Sequence, residues 1–288
     1  MSPFGQQLET FIQSADPGCR LRLAPTPSGY LHAGNALNFI FNWMVVRSNN
    51  GRLLLRIDDL DADRKRSAFV QDVFDSLHWL ELDWEEGPRD ESDFEKNWSQ
   101  HLRLSLYHSE LQKLRETGLL FACRKSRSDL APFGGQYPET FREQGLSLDD
   151  PDVAWRIRTP EGFPMPDFIV RRRDGLPAYQ VASMVDDVHF NITHAIRGSD
   201  LEASTQAQRY LAQCTDESKF LKINFLHHPL LLDAEGEKLS KSAGSSSLKI
   251  MRTNGIPPEN VIRLAADLLG IPLETIKSAQ NLLNFFRG

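Results

Sequence analysis

The chain has 288 residues, 40% hydrophobic and 25% charged, with 33 Lys and Arg against 39 Asp and Glu, a net charge of −6. That length exceeds one ordinary domain and allows a large core, while the charge excludes a molecule-wide basic field and leaves only a local basic face for any nucleic-acid partner. The three cysteines, Cys19, Cys123 and Cys214, form no CxxC pair, no apolar run approaches a membrane span and no leader pattern opens the chain, so a soluble, cytoplasmic protein without a disulfide framework is expected.

Residues 1–18 are a polar lead-in with a partial helical pattern at Leu8, Phe11 and Ile12. A short strand is predicted over 19–23. It runs into Arg22-Leu23-Ala24-Pro25-Thr26-Pro27-Ser28-Gly29-Tyr30-Leu31-His32-Ala33-Gly34-Asn35, after which Leu37, Ile40, Phe41, Met44 and Val45 recur at helical spacing. Strand, tight turn and helix start in this order offer free N–H groups and the positive end of a helix dipole, a suitable place for phosphate, and His32 stands where it can donate to a phosphoryl oxygen. Neither GxGxxG nor GxxxxGK[ST] is present at this point.

Asn49-Asn50-Gly51 signals a turn, and residues 52–58 read as a second strand, giving a parallel βαβ unit. Asp58 ends that strand. Ligands of open parallel sheets bind beyond the carboxyl ends of the strands, so Asp58 is expected to face the site, whereas Asp59, Asp61 and Asp63 suit a solvated loop or a helix N-terminus. Helices follow through Val70, Phe74 and Leu77, and through Tyr107, Leu111 and Leu114 up to Gly118. From 119 to 175 prolines and Gly134-Gly135 suggest an irregular inserted module, with Arg124, Lys125, Arg127 and Arg171-Arg172-Arg173 as candidate phosphate contacts. The sheet is expected to resume over 179–190 and 193–197, followed by a helix over 203–214, a strand at 228–233 and two amphipathic helices over 257–269 and 273–286.

Between that strand and those helices lies Glu237-Lys238-Leu239-Ser240-Lys241-Ser242-Ala243-Gly244, a small polar segment whose two lysines can stabilise charge on a transferring phosphoryl group. His32-Ala33-Gly34-Asn35 and Lys238-Leu239-Ser240-Lys241-Ser242 together resemble the two signature motifs of class I aminoacyl-tRNA synthetases. The glutamyl branch is resembled most, through Leu55-Arg56-Ile57-Asp58-Asp59-Leu60-Asp61, His78-Trp79-Leu80-Glu81-Leu82-Asp83-Trp84-Glu85-Glu86-Gly87-Pro88, Arg173-Asp174-Gly175-Leu176-Pro177-Ala178-Tyr179-Gln180 and Thr193-His194-Ala195-Ile196-Arg197-Gly198-Ser199-Asp200-Leu201.

The resemblance implies an α/β fold: a class I synthetase Rossmann-like parallel sheet, with an inserted module and a short helical tail. The expected division is 1–118 and 176–235 for the two halves of the catalytic domain, 119–175 for the insertion and 236–288 for the lysine loop and tail, with no anticodon-binding domain. It further implies an ATP-dependent ligase in which His32, Gly34, Asn35, Lys238, Ser240 and Lys241 hold ATP, and His32, Lys238 and Lys241 assist catalysis. Arg22, Leu23, Ala24, Pro25, Thr26, Asp58, Tyr179 and Arg197 form the glutamate pocket. Mg²⁺ is expected to arrive with ATP. The partners implied are L-glutamate, ATP and a tRNA. The chain is as short as those paralogues of the branch that pass glutamate to the queuosine base of tRNA(Asp), and a monomer is expected. Three departures stand out: Asn35 replaces a histidine, Asp58 replaces a glutamate, and Phe121-Ala122-Cys123-Arg124-Lys125-Ser126 carries one cysteine where relatives carry a CxC pair. Zinc takes about four ligands, so no zinc is expected.

Overall fold

A computed structural model of the protein describes residues 1–231 and 247–287. The chain divides into two units. The first comprises Met1–Leu102, Ile192–Leu201 and Ile223–Gly288; the second comprises Arg103–Asn191 and Glu202–Lys222.

In the first unit, the lead-in forms a helix, α1 (Pro3–Ser14), where Phe4, Leu8 and Ile12 repeat every four residues and bury one face. The Ser2 hydroxyl caps it by accepting the Gly5 N–H. β1 (Arg20–Leu23), α2 (Ala33–Ser48) and β2 (Arg52–Leu55) form the expected βαβ unit, with β1 and β2 parallel from Arg20↔Arg52 to Leu23↔Leu55. β1 ends at Leu23 as expected, whereas β2 ends sooner than the expected 52–58. The parallel contact nevertheless continues, because Arg56 N–H donates to Leu23 O and Asp58 N–H to Pro25 O. α2 is buried almost all round, from Ala36 and Leu37 to Val46, as a helix between a sheet and other helices should be. The helices Glu259–Leu269 and Ala279–Arg287 pack against it. Gly87 adopts φ +102°, and a Cβ there would meet Leu55 O at 2.1 Å, so only glycine lets the chain pass the end of β2.

A second parallel pair, β6 (His194–Gly198) and β7 (Asn224–His228), runs in register from His194↔Asn224 to Gly198↔His228. β6 lies beside β1, where the Thr193 N–H donates to Arg20 O. Of the strand expected at 228–233, residues 232 and 233 lie outside the described residues; among the described ones the strand is Asn224–His228, and it stops before Pro229, which has no N–H to continue the ladder. α3 (Ser67–Trp79) follows β2 in sequence, as expected.

The second unit contains the helix Leu104–Glu116, then β3 (Leu120–Cys123), β4 (Ala154–Ile157) and β5 (Ile169–Arg171) in an antiparallel sheet of order β3-β4-β5. This sheet occupies the stretch expected to be irregular. Residues 179–190, expected as a strand, form the helix Tyr179–His189, whose buried positions from Gln180 to Met184 and at Asp186 and Asp187 run nearly all round it. The interior is partly ionic. Asp186 accepts a two-pronged contact from Arg103, with Nε at 3.0 Å and Nη2 at 3.1 Å, and the Tyr107 hydroxyl at 2.8 Å. Such multiply bonded pairs are how a buried carboxylate is tolerated.

Candidate active site

The carboxyl ends of β1, β2 and β6 meet the start of α2 within the first unit, and most of the residues singled out from the sequence lie there. Arg22 is in β1 and 4% exposed; Arg197 is in β6 and 2% exposed. The two strands lie side by side, and a guanidinium group can hold a carboxylate in a fork. Arg197 is also placed over the Phe225 ring of β7, 4.7 Å from its centre.

The register of β6 against α2 is set by asparagines. Asn42, fully buried, accepts the Ile196 N–H at 3.1 Å and donates to Ile196 O at 3.1 Å, and Asn38 donates to the same oxygen at 2.8 Å. Position 196 is thereby fixed one residue before Arg197. The sequence carried a signal for this: Asn42 is a polar residue inside an otherwise apolar helix, and such a group is buried only with a partner.

The turn after β1 runs from Leu23, fully buried, through half-buried Ala24, buried Pro25 and exposed Thr26, and the Asp58 N–H is tied to it at Pro25 O. His32 is the N-cap of α2, in extended conformation with φ −128°. Asn35 Oδ1 accepts the His32 N–H at 3.1 Å, so the asparagine that replaces a histidine in the motif has a local task, closing the first turn of the helix. Gly34 leaves room for the imidazole: a Cβ there would lie 3.1 Å from His32 Cε1 and 3.2 Å from Nδ1.

Asp58 is buried, and its carboxylate is held in a fork by Arg56, with Nε–Oδ1 at 2.7 Å and Nη2–Oδ2 at 3.1 Å. The two side chains, two residues apart on extended backbone, point the same way. Sequence reading assigned Asp58 to the site without seeing that Arg56 balances its charge. Asp59, expected in a solvated loop or at a helix N-terminus, is 1% exposed. Its oxygens take the Ser99 hydroxyl at 2.8 Å, the Gln100 N–H at 2.8 Å and Lys65 at 3.2 Å, holding the strand-end loop to residues 99–101.

Tyr179 is in the second unit, where it opens the helix Tyr179–His189 and is 40% exposed. Lys238, Ser240 and Lys241 lie outside the described residues.

Cys123, in the second unit, is surrounded by hydrogen-bonding groups: the Tyr137 hydroxyl at 3.3 Å and the Lys125 N–H at 3.2 Å approach its sulfur. Burial pushes the thiol pKa up, but these donors, Gln144 and the charge of Arg156 outweigh it and leave the thiol below its usual value. One cysteine and a tyrosine do not supply the four ligands of a structural zinc ion. Among the described residues no group of three or more His, Cys, Asp and Glu has the arrangement of a metal site, and no helix is long and apolar enough to cross a membrane.

The family of tRNA synthetases class I (E and Q), catalytic domain, matches residues 19–132 and 142–286. The Glutamyl-Q tRNA(Asp) synthetase of Parasynechococcus marenigrum is 40% identical over 89% of this chain and 85% of its own. Glutamate–tRNA ligase 2 of Syntrophus aciditrophicus is 33% identical over 87% of this chain but only 57% of its own length. Among solved structures, the glutamate-tRNA synthetase of Elizabethkingia anophelis superimposes with a TM-score of 0.71 at 20% identity, covering 93% of this chain and 70% of that one. The parallel strands, the His32–Asn35 helix start and these matches agree: the chain belongs to the class I tRNA synthetases of the glutamyl and glutaminyl branch, and it is an aminoacyl-tRNA-synthetase-like ligase that uses ATP.

Proposed function

We propose that the protein activates L-glutamate with ATP as glutamyl-adenylate and transfers the glutamyl group to the queuosine base of tRNA(Asp). The observation that carries this reading is the pair of buried arginines, Arg22 and Arg197, at the ends of adjacent strands beside a phosphate-binding helix start. Two guanidinium groups suit an amino acid with two carboxylates, one on the main chain and one on the side chain. The acceptor is supported by relatives named Glutamyl-Q tRNA(Asp) synthetase, of which the matched region covers 85% and 90%.

In the first step a carboxylate oxygen of glutamate attacks the α-phosphorus of ATP and pyrophosphate leaves. In the second a hydroxyl of the modified base attacks the acyl carbon and AMP leaves. No covalent bond to the protein is needed, so the rate comes from positioning and electrostatics. His32, the Gly34 N–H and Asn35 hold ATP phosphates, joined by Ser240, while Lys238 and Lys241 stabilise charge on the α-phosphorus and the leaving group. Mg²⁺ enters as the counter-ion of ATP. Arg22 and Arg197 take the carboxylates of glutamate, and Leu23, Ala24, Pro25 and Thr26 wall the pocket. Asp58 and Tyr179 complete amino-acid recognition. Because Arg56 already forks Asp58, that carboxylate meets the substrate ammonium as half of an ion pair. The protein acts as a monomer in the cytoplasm.

The test is ATP–pyrophosphate exchange across the amino acids, followed by glutamate transfer to tRNA(Asp) with and without queuosine. Glutamate-specific exchange and queuosine-dependent transfer are expected. Exchange without transfer points to another acceptor. Absence of exchange points to a catalytically silent RNA-binding paralogue.

A further inference from the structure

The turn that carries His32 is held from outside itself. Asp72, inside α3, is buried, with its side chain 1% exposed, and its two oxygens serve different partners. Oδ2 accepts the Leu31 N–H at 2.8 Å and Oδ1 accepts from Arg252 Nη2 at 2.7 Å. Arg252 belongs to the helix Leu248–Thr253 and also donates to Ser76 Oγ at 2.7 Å. The remaining backbone group of Leu31 is taken by the same helix, whose Leu248 N–H donates to Leu31 O at 2.8 Å. One residue upstream, Tyr30 packs edge-on against Phe69 of α3, ring centres 5.0 Å apart. Its hydroxyl accepts from Lys249 Nζ at 2.7 Å, and that ammonium lies 4.2 Å from the ring centre.

Residues 30 and 31 are thus fixed by side chains of two helices immediately before the chain reaches His32. Asp72 lies mid-helix and caps nothing in α3. A buried carboxylate is costly unless it is paired and bonded, and an apolar residue would pack there at lower cost. What the carboxylate accomplishes is the joint hold on Leu31 and Arg252.

Resting on the functional reading above, we infer that Asp72 is a positioning residue for adenylate formation, acting through Leu31 to set the place of His32 and of the N–H groups that open α2. Lys249 supports it through Tyr30. Displacement of a positioned group by about 1 Å can slow a reaction about 100-fold, and loss of the Leu31 anchor is a displacement of that kind.

The experiment measures glutamate-dependent ATP–pyrophosphate exchange for wild type, Asp72→Asn and Lys249→Met, with the far-ultraviolet circular dichroism of each. In Asp72→Asn the exchange rate at saturating substrates should fall about 10- to 100-fold, with KM for glutamate changed by less than about twofold, because the arginines that bind glutamate are not moved. Lys249 is exposed, so Lys249→Met folds irrespective of the buried pair, and it should show a smaller fall, about 3- to 10-fold, in the same parameter. A merely structural staple would lower stability and leave the rate of the folded protein intact. The inference is overturned if folded Asp72→Asn turns over at the wild-type rate, or, should that variant not fold, if Lys249→Met does. Wild type that exchanges with no amino acid overturns the functional reading and this inference with it, whereas active wild type with equally active variants overturns only the inference.

Discussion

Arg22 and Arg197 are withdrawn from solvent, and under the proposed function they take the carboxylates of glutamate. Arg22→Ala and Arg197→Ala are each expected to raise KM for glutamate about 10- to 100-fold, the worth of a charge-assisted hydrogen bond, while KM for ATP stays near wild type. Exchange kinetics with glutamate and ATP varied separately would show it, and an equal rise in both constants would remove the arginines from the amino-acid pocket. Gly34 makes a sharper case, since the proposed function places it on the phosphate side alone. Alanine there is compatible with helix but presses on the His32 ring at 3.1 Å, so Gly34→Ala should keep its fold and lose about tenfold or more in exchange rate. Wild-type exchange by that variant would mean that His32 need not occupy its observed place. These residues were legible in the sequence because their motifs are local. Arg56 was not, although it stood two residues from Asp58: a charge written beside a charge reads equally as solvated loop, and only burial distinguishes the two.

At the scale of the element, the link between α2 and β6 rests on Asn42 and the two backbone groups of Ile196. Asn42→Leu fits the volume but leaves a buried N–H without its acceptor, and a loss of about 1–3 kcal/mol in urea unfolding is expected. Asn42→Asp, which can accept the Ile196 N–H but not donate to its carbonyl, should do no better, and an unchanged unfolding midpoint in both would show the clamp to be dispensable. The first βαβ unit could be read from the sequence because α2 is long and β2 is an unbroken apolar run. Helix Tyr179–His189 could not: it is buried nearly all round, and a short run buried on every side reads equally as a buried strand, so the choice is made by the surroundings. β3, β4 and β5 are three or four residues each, too short to leave an alternation, so the sheet of the second unit was hidden behind its prolines and glycines. Asp72 escaped for another reason. Its partners, Leu31 and Arg252, are 41 and 180 residues away, a separation over which no local pattern carries.

At the scale of the molecule, stability should depend on pH in two separate windows. His194 and His228 are buried in the first unit, 4% and 3% exposed, and burial lowers the pKa of both; Asp16 opposes this at His194, and the Pro229 carbonyl and Asp200 oppose it at His228. His228 sits among rings, its centre 5.6 Å from Phe41 and 6.4 Å from Phe4. In the unfolded chain both titrate near pH 6.5. Below that value the unfolded state binds protons that the folded state refuses, so the stability these histidines permit is complete above about pH 6.5 and is lost as pH falls towards their folded values. Each contributes a slope of at most about 1.4 kcal/mol per pH unit in that window. A second decline comes only at lower pH. Asp83 is raised by burial but lowered more by Trp43 and Arg47, and its contribution, present above about pH 4, fades below it. Urea unfolding from pH 8 to pH 3 should therefore show a plateau, a first decline beginning near pH 6.5 and a further one below about pH 4. The variant His194→Asn/His228→Asn, less stable at neutral pH, should lack the first decline while keeping the second. A first decline of undiminished slope in that variant would assign it to other groups, and a flat profile in wild type down to about pH 5 would mean that both imidazoles accept protons without unfolding the β6–β7 pair.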